Sequence, residues 1–106
     1  MSYRVKLTRE AEDDFLRLYD FVLEREMDRS AGGDLALAER AIAAIEQGIA
    51  TLRSSPFTCR KADQGAFLRE LVIPFGRTGY VALFEIASND TVVIAAVRQQ
   101  REDDYH

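Results

Sequence analysis

Alternating apolar and polar residues open the chain and give way at once to a helical spacing. In YRVKL (residues 3–7) apolar side chains alternate with two basic ones, which predicts a short, half-buried strand. Thr8 follows as a helix N-cap, and acidic residues crowd the next turns, where the helix dipole favours negative charge. The spacing predicts a first helix from about Arg9 to about Arg29. Its apolar positions are Ala11, Phe15, Leu18, Tyr19, Val22 and Leu23.

A glycine pair at positions 32–33 ends this pattern, and Asp34 is placed to cap a second helix. Small alanines on the inward stripe of that helix predict a close approach of the two helices. Gly48 lies on the stripe, where glycine costs about 1 kcal/mol relative to alanine, and we expect a close crossing with the first helix to explain it. The sequence SSP at 54–56 ends the helix. The stripe consists of Ala38, Ala41, Ile42, Ile45, Ile49 and Leu52.

Three strand-like runs follow a polar connector and are separated by short polar turns. The first, FLRELVIPF (residues 67–75), contains Pro74, which cannot donate to a β-ladder and therefore favours a sheet edge or a strand end. The second is YVALFEI (80–86) and the third is TVVIAAV (91–97). Three such runs predict an antiparallel meander, so the element order is β-α-α-β-β-β.

The last two runs are apolar on both faces of the predicted sheet. Two helices cover one face, and an antiparallel sheet with a solvated face normally carries polar residues on it. The second face therefore needs a cover: the C-terminal segment, another copy of the chain or a partner protein. In the second run Tyr80, Ala82, Phe84 and Ile86 oppose Val81 and Leu83, and in the third run Val92, Ile94 and Ala96 oppose Val93, Ala95 and Val97.

Length and composition favour one domain, residues 1–106, with a sizeable core. A hydrophobic content of 47% excludes a disordered chain, and no apolar run approaches the roughly 20 residues of a membrane span. The opening MSYRVKLTRE lacks the apolar segment of a signal peptide, so we expect a cytoplasmic protein. Cys59 is the only cysteine, which excludes an intramolecular disulfide and a cysteine-based metal site.

The charge distribution favours a protein partner. The chain has 14 basic and 18 acidic residues, a net charge of −4. Residues 55–80 have a local surplus of basic residues, whereas residues 81–106 are acidic. Binding to nucleic acid through phosphates needs a strong positive surplus. The whole chain has none, although a local basic patch is compatible with its sequence.

The second half of the chain carries a resemblance to a known family. The segment LRELVIPFGRTGYVALFEI, followed after a turn by VVIAAVRQQREDDY, resembles the RelE/ParE superfamily of bacterial type II toxins. It is most similar to the ParE-like branch associated with plasmid stabilisation, and the opening YRVKLTREAEDDF is similar to that branch as well. The branch commonly places a histidine after the arginine that ends the last strand. Here Arg98 is followed by Gln99, which removes the imidazole and leaves a binding role intact.

The resemblance implies a cytoplasmic toxin with a two-layer α+β fold, in which an α-hairpin packs on a small antiparallel sheet. It also implies a cognate antitoxin whose C-terminal region covers or completes that sheet, in a toxin–antitoxin hetero-oligomer. ParE-like members poison DNA gyrase without recognised catalytic residues, whereas RelE-like members cleave messenger RNA on the ribosome. No cofactor, metal or membrane is implied, and no direct DNA binding without the antitoxin. A non-toxic relative that only binds an antitoxin is a third alternative, for which Gln99 is the one hint.

A ribonuclease would activate a ribose 2′-hydroxyl to attack the adjacent phosphate, which needs a proton acceptor, cations and a proton donor. Arginine stays protonated and tyrosine titrates near about 10, so neither is a ready base. Glu70 and Glu85 are equally well explained as solvated strand residues, and His106 is the terminal residue. The candidates for this chemistry are Arg69, Arg77, Arg98 and Tyr105.

The non-catalytic hypothesis gives these arginines structural roles or pairs them with antitoxin carboxylates, which suit bidentate guanidinium groups. In REDD (101–104) an arginine is expected to pair with the body while Tyr105 packs on the sheet edge. Arg60 and Lys61 are expected to be exposed loop charges, and the acidic start of the first helix complements its dipole or meets gyrase. The antitoxin-binding candidates are Arg69, Arg77, Val81, Leu83, Val93, Ala95, Val97, Arg98 and Arg101.

Overall fold

A computed structural model describes residues 2–28, 32–62, 67–76 and 78–100. The predicted order β-α-α-β-β-β is confirmed, with one additional short strand before the meander. Two single-turn 3₁₀ helices, Thr51–Arg53 and Pro56–Thr58, lead from the second helix to that strand. The elements are β1 (Arg4–Leu7), α1 (Arg9–Met27), α2 (Leu37–Ala50), β2 (Arg60–Lys61), β3 (Leu68–Phe75), β4 (Thr78–Ser88) and β5 (Thr91–Gln99).

The five strands form one sheet in the order β1-β5-β4-β3-β2, and the α-hairpin packs on one of its faces. The meander β3-β4-β5 is antiparallel, as the sequence predicts. The first strand pairs in parallel with β5, so the sheet is mixed. The α+β fold class is confirmed. The core between the two layers includes Leu18, Ile45, Leu52, Phe84, Val92, Ile94 and Val97.

Thr8 caps α1 as predicted. Its side-chain oxygen accepts a hydrogen bond from the amide of Ala11 at 3.1 Å, which satisfies one of the unpaired amides at a helix start. The helix then continues to Met27, two residues short of the predicted end. Among the described residues, no helix is long and apolar enough to cross a membrane.

The start of α2 differs from the prediction. Asp34 lies three residues before the helix, where its carboxylate accepts from the amide of Ala36 at 3.0 Å and its carbonyl accepts from Leu37. This local turn delays the helix to Leu37, so Asp34 closes a turn instead of serving as the N-cap. The acidic side chain also forms an ion pair with Arg40, and the hydrogen bond within that pair is the first cause of a lowered Asp34 pKa.

Gly48 has a different explanation from the one expected. A Cβ at this position would lie 2.7 Å from Cγ1 of Ile73 on β3. The glycine therefore allows α2 to approach the sheet closely. The predicted explanation, a close crossing with the first helix, is wrong. Helix–sheet packing at this depth leaves no room for even one methyl group.

Arg60 and Lys61 are exposed, as predicted, but their predicted place in a loop is wrong. Both residues form the edge strand β2, paired antiparallel with β3, and Arg60 forms an ion pair with Glu70 on that strand. The edge strand spans two residues, so it ends well before Pro74. Pro74 pairs with Gly79 of β4 on its other side, which agrees with the edge position expected for a residue without an amide hydrogen.

A β-bulge changes the predicted face alternation of β5. Leu83 of β4 pairs with Ala96, but the next residue, Phe84, pairs with Ile94, which leaves Ala95 as the extra residue. Side chains beyond the bulge exchange faces, because alternation restarts after the inserted residue. Val97 therefore faces the helices and is fully buried in the core, so its predicted place in a row with Val93 and Ala95 on the second face is wrong.

Candidate functional site

Two side chains from the start of α1 hold the β5 bulge. The hydroxyl of Thr8 donates to the carbonyl of Ala95 at 3.1 Å while accepting from the helix, and its amide donates to the carbonyl of Ile94 at 3.0 Å. Oδ2 of Asp14 accepts from the amide of Val97 at 2.9 Å. The bulged backbone groups are thus bonded on both sides of the extra residue. A bulge breaks the ladder locally, so these substitutes stabilise it.

The bulge decides which side chains appear on the sheet face that points away from the helices, hereafter the second face. Directly opposed residues of neighbouring strands share a face. Glu85 opposes Val93, and beyond the bulge Arg98 opposes Val81. An unbulged strand would place Arg98 in the row of Ile94, towards the helices. The second face of β4 and β5 therefore contains Val81, Leu83, Glu85, Val93, Ala96 and Arg98.

The residues at the centre of the second face are buried. Val81 and Leu83 are 5% and 4% exposed and form a small apolar cluster with Ala62. Leu68 and Ala96 pack against this cluster and are half-buried. The two predicted contact residues of β4 are therefore inside the fold, and the accessible part of the second face lies around them.

Arg98 is the cation at the end of this face. It is half-buried, and its guanidinium forms no hydrogen bond or ion pair with another residue in the described part of the chain. A guanidinium with its donors unused can pair with a carboxylate through two parallel hydrogen bonds. The arrangement fits an acidic side chain of a partner.

Arg69 lies on the helix-facing side of the sheet, and its guanidinium is hydrogen-bonded to the backbone. Its Nη1 atom donates to the carbonyl oxygen of Cys59 at 2.7 Å and to that of Phe57 at 3.5 Å. The guanidinium carbon also lies 5.7 Å from the centroid of the Phe57 ring, within the range of a cation–π contact. These contacts connect β3 to the segment before β2. Arg69 and Arg98 are thus on opposite faces of the sheet and do not form one site.

The perturbed ionisable groups do not form an acid–base set. Burial raises the pKa of the Cys59 thiol, with the Thr58 hydrogen bond and the Arg69 charge acting in the opposite direction. Burial likewise raises the pKa of Tyr80, which lies on the helix-facing side, and the charge of Arg25 lowers it. In the described residues no group of three His, Cys, Asp or Glu side chains is placed to hold a metal ion.

Among the described residues, Glu26 is the one buried charged side chain. It is 2% exposed, and Oε1 accepts from the amide of Asp34 at 3.0 Å. Nε of Arg25 lies 3.7 Å from Oε2. Gly33 also packs against the carbonyl of Glu26, since a Cβ there would be 1.9 Å from that oxygen. The buried carboxylate thus connects the last turn of α1 to Asp34, three residues before α2.

The predicted site residues are thus separated. Arg98 shares the second face with Val81, Leu83 and Val93, while Arg69 and Val97 face the helices. Arg77, Arg101, Tyr105 and His106 lie outside the described residues.

The sequence reasoning missed Asp14, which it treated as a dipole complement. The spacing of apolar residues could have identified it. Asp14 lies three residues after Ala11 and four before Leu18, which are both buried, so it lies on the inner side of the helix.

Comparison with known proteins assigns the family. The chain matches a family model described as the ParE toxin of the type II toxin-antitoxin system parDE over residues 5–104. It is similar to a solved chain described as a chromosomal ParDE TA system from P. aeruginosa, with 18% sequence identity and a TM-score of 0.72. That match covers 92% of this chain and 96% of the other and shows a shared fold. No curated protein matches at a significant level. The chain belongs to the ParE toxin family of type II toxin-antitoxin systems.

Proposed function

We propose that this ParE-family toxin acts in the cytoplasm by binding DNA gyrase as a protein target, and that a cognate antitoxin neutralises it. The family membership supports a toxin, and the related solved chain comes from a ParDE toxin–antitoxin system. The net charge of −4 favours a protein target over a ribosomal site rich in RNA. No metal or cofactor enters the proposed mode of action.

The observation that carries the proposal is the position of Arg69 and Arg98, the two candidate site arginines that lie in the described part of the chain. Arg69 is tied to backbone carbonyls on one face, and Arg98 stands on the other. Cleavage of RNA needs cations and a proton acceptor within hydrogen-bond reach of the same phosphate. Two cations on opposite faces of a sheet cannot converge on one phosphate, so the described residues support binding better than catalysis.

The test is a DNA cleavage assay with purified gyrase, supercoiled plasmid, ATP and this protein. We expect enzyme-linked linear DNA to accumulate, and preincubation with the cognate antitoxin to suppress it. Folded protein that gives no linear DNA would refute gyrase as the target. Cleavage of ribosome-bound messenger RNA by the same preparation would then establish the nuclease alternative, and its loss in Arg98→Ala would connect that activity to the second face.

The antitoxin is proposed to bind the accessible part of the second face and to pair an acidic side chain with Arg98. Half-buried Val93 and Ala96 supply apolar contacts beside the guanidinium. Arg98→Glu places like charges in that pair and is expected to weaken antitoxin binding by about 100-fold, corresponding to about 3 kcal/mol. Arg53→Glu, an exposed position on the turn after α2, is the matched control. Equal affinities of the two variants would exclude this pairing.

A further inference from the structure

An apolar ridge runs along α1 beside the buried stripe that contains Leu18 and Val22. It consists of Leu16, Tyr19, Leu23 and Met27, which follow each other at spacings of three and four and are therefore neighbours on the helix surface. Leu16 and Met27 are 67% and 64% exposed, and the two between them are half-buried. Single exposed apolar residues are ordinary, but a row of apolar residues from Leu16 to Met27 favours an interaction surface.

The ridge is bordered by carboxylates. Asp13, Asp20 and Glu24 are exposed and lie three or four residues from ridge positions. None of the three carboxylates forms a side-chain hydrogen bond or an ion pair within the part of the chain that the structure describes. Helix α1 contains seven acidic residues and three arginines, so its net charge is −4, equal to that of the entire chain.

The helix dipole explains only part of this charge. Acidic residues stabilise the first turn of a helix, where Glu10 and Glu12 lie. Asp20 is in the middle of α1 and Glu24 is in its last turn, where the dipole disfavours negative charge. These two carboxylates border the ridge and form no side-chain hydrogen bond or ion pair within the described part of the chain, so neither the dipole nor a polar contact there explains their position.

From these features we infer that the α1 ridge is a docking surface for a partner protein that presents an amphipathic helix, with an apolar stripe bordered by lysine or arginine. The apolar stripe packs on Leu16, Leu23 and Met27, and the basic borders pair with Asp20 and Glu24. Opposite charges along such an interface set its orientation and its choice of partner. A second copy of this chain does not fit, because its own α1 would bring the same carboxylates together. The surface is separate from the second face and from the antitoxin contact proposed there.

The test uses the full-length protein and three synthetic helical peptides. The first has leucines along one face bordered by lysines, the second has glutamates in place of the lysines, and the third keeps the lysines but has glutamine for leucine. We expect the first peptide to bind about tenfold or more tightly than either of the others. Asp20→Lys should reverse the preference between the lysine and glutamate peptides. Glu85→Lys, the same charge change on the second face, should leave it unchanged.

Hydrogen exchange locates the contact. Protection by the lysine peptide should concentrate in α1, and Leu16→Gln should remove it without lowering the melting temperature, since Leu16 is exposed. Val72→Gln, at an exposed apolar position on β3, is the matched control. Equal affinity for the lysine and glutamate peptides, or protection outside α1, would overturn the inference. A dimer in sedimentation that Leu16→Gln dissociates would also overturn it, in favour of a second copy. These outcomes do not depend on the gyrase assay.

Discussion

Replacing Asp14 with alanine removes the carboxylate that holds the β5 bulge at the amide of Val97. The bond is 2.9 Å long, and Val97 is fully buried. A buried amide left without an acceptor costs about 1–3 kcal/mol. Asp14→Ala removes the charged acceptor and leaves the Val97 amide without it. We therefore expect the substitution to lower the free energy of unfolding by about 2 kcal/mol. In a domain of this size that loss lowers the melting temperature by about 8–16 °C.

The assay is urea denaturation of three variants beside the parent protein, together with hydrogen exchange at the Val97 amide. Asp13→Ala removes the neighbouring carboxylate, which is exposed, and should change stability by no more than about 0.5 kcal/mol. Asp14→Asn keeps an oxygen acceptor and should recover about half of the loss. Exchange at Val97 should accelerate in Asp14→Ala. Equal stabilities of the Asp13 and Asp14 alanine variants would refute the role of this bond.

Three further predictions concern other parts of the fold. Gly48→Ala forces a Cβ to 2.7 Å from Ile73. Overpacking costs about 1–3 kcal/mol, which outweighs a helix-propensity gain of about 1 kcal/mol, so urea denaturation should show a less stable protein. A more stable variant would contradict this packing. Arg69→Met removes the 2.7 Å bond to a connector carbonyl and should cost about 1–2 kcal/mol in the same assay, whereas no loss would show that the contact is dispensable. The pKa of Asp90 is held below its ordinary 3.8, first by the Ser88 hydroxyl. Its contribution to stability is full above that value and is lost as the pH falls through the lowered pKa, so Asp90→Asn should reduce the loss of stability that sets in below about pH 3.8.

The sequence predicted the helices and the meander because their signals are local. Thr8 caps α1 through an amide three residues away, and the spacing of apolar residues identifies the buried side of each helix. The start of α2 was misplaced by two residues, since the N-cap is Ala36 and not Asp34. The Asp34 carboxylate can accept a hydrogen bond as a helix N-cap, but it can also accept one that closes a turn before the helix. Both interactions involve neighbouring residues, so the sequence does not distinguish them.

The second face could be predicted only in part, because β5 is apolar from Val92 to Val97. An apolar run fits a bulged and an unbulged strand equally well, so periodicity does not locate the extra residue. Two long-range hydrogen bonds hold the extra residue in place. Thr8 donates to Ala95, 87 positions away, and Asp14 accepts from Val97, 83 positions away. The role of Arg69 was hidden for a related reason. Its carbonyl partners lie 10 and 12 positions upstream, and they reach the guanidinium only after β2 has paired with β3.

The bulge also bears on Gln99, which stands where the related branch commonly has a histidine. Arg98 opposes Val81 on the second face, whereas Gln99 opposes Tyr80, a core residue on the helix-facing side. A side chain at position 99 therefore points away from Arg98, and a histidine there would not share a phosphate with its guanidinium. Restoring the residue by Gln99→His should leave antitoxin affinity within about twofold of the parent and should create no ribosome-dependent RNA cleavage. Cleavage that appears in Gln99→His and disappears on adding Arg98→Ala would show that the two side chains act together, and it would refute this separation of faces.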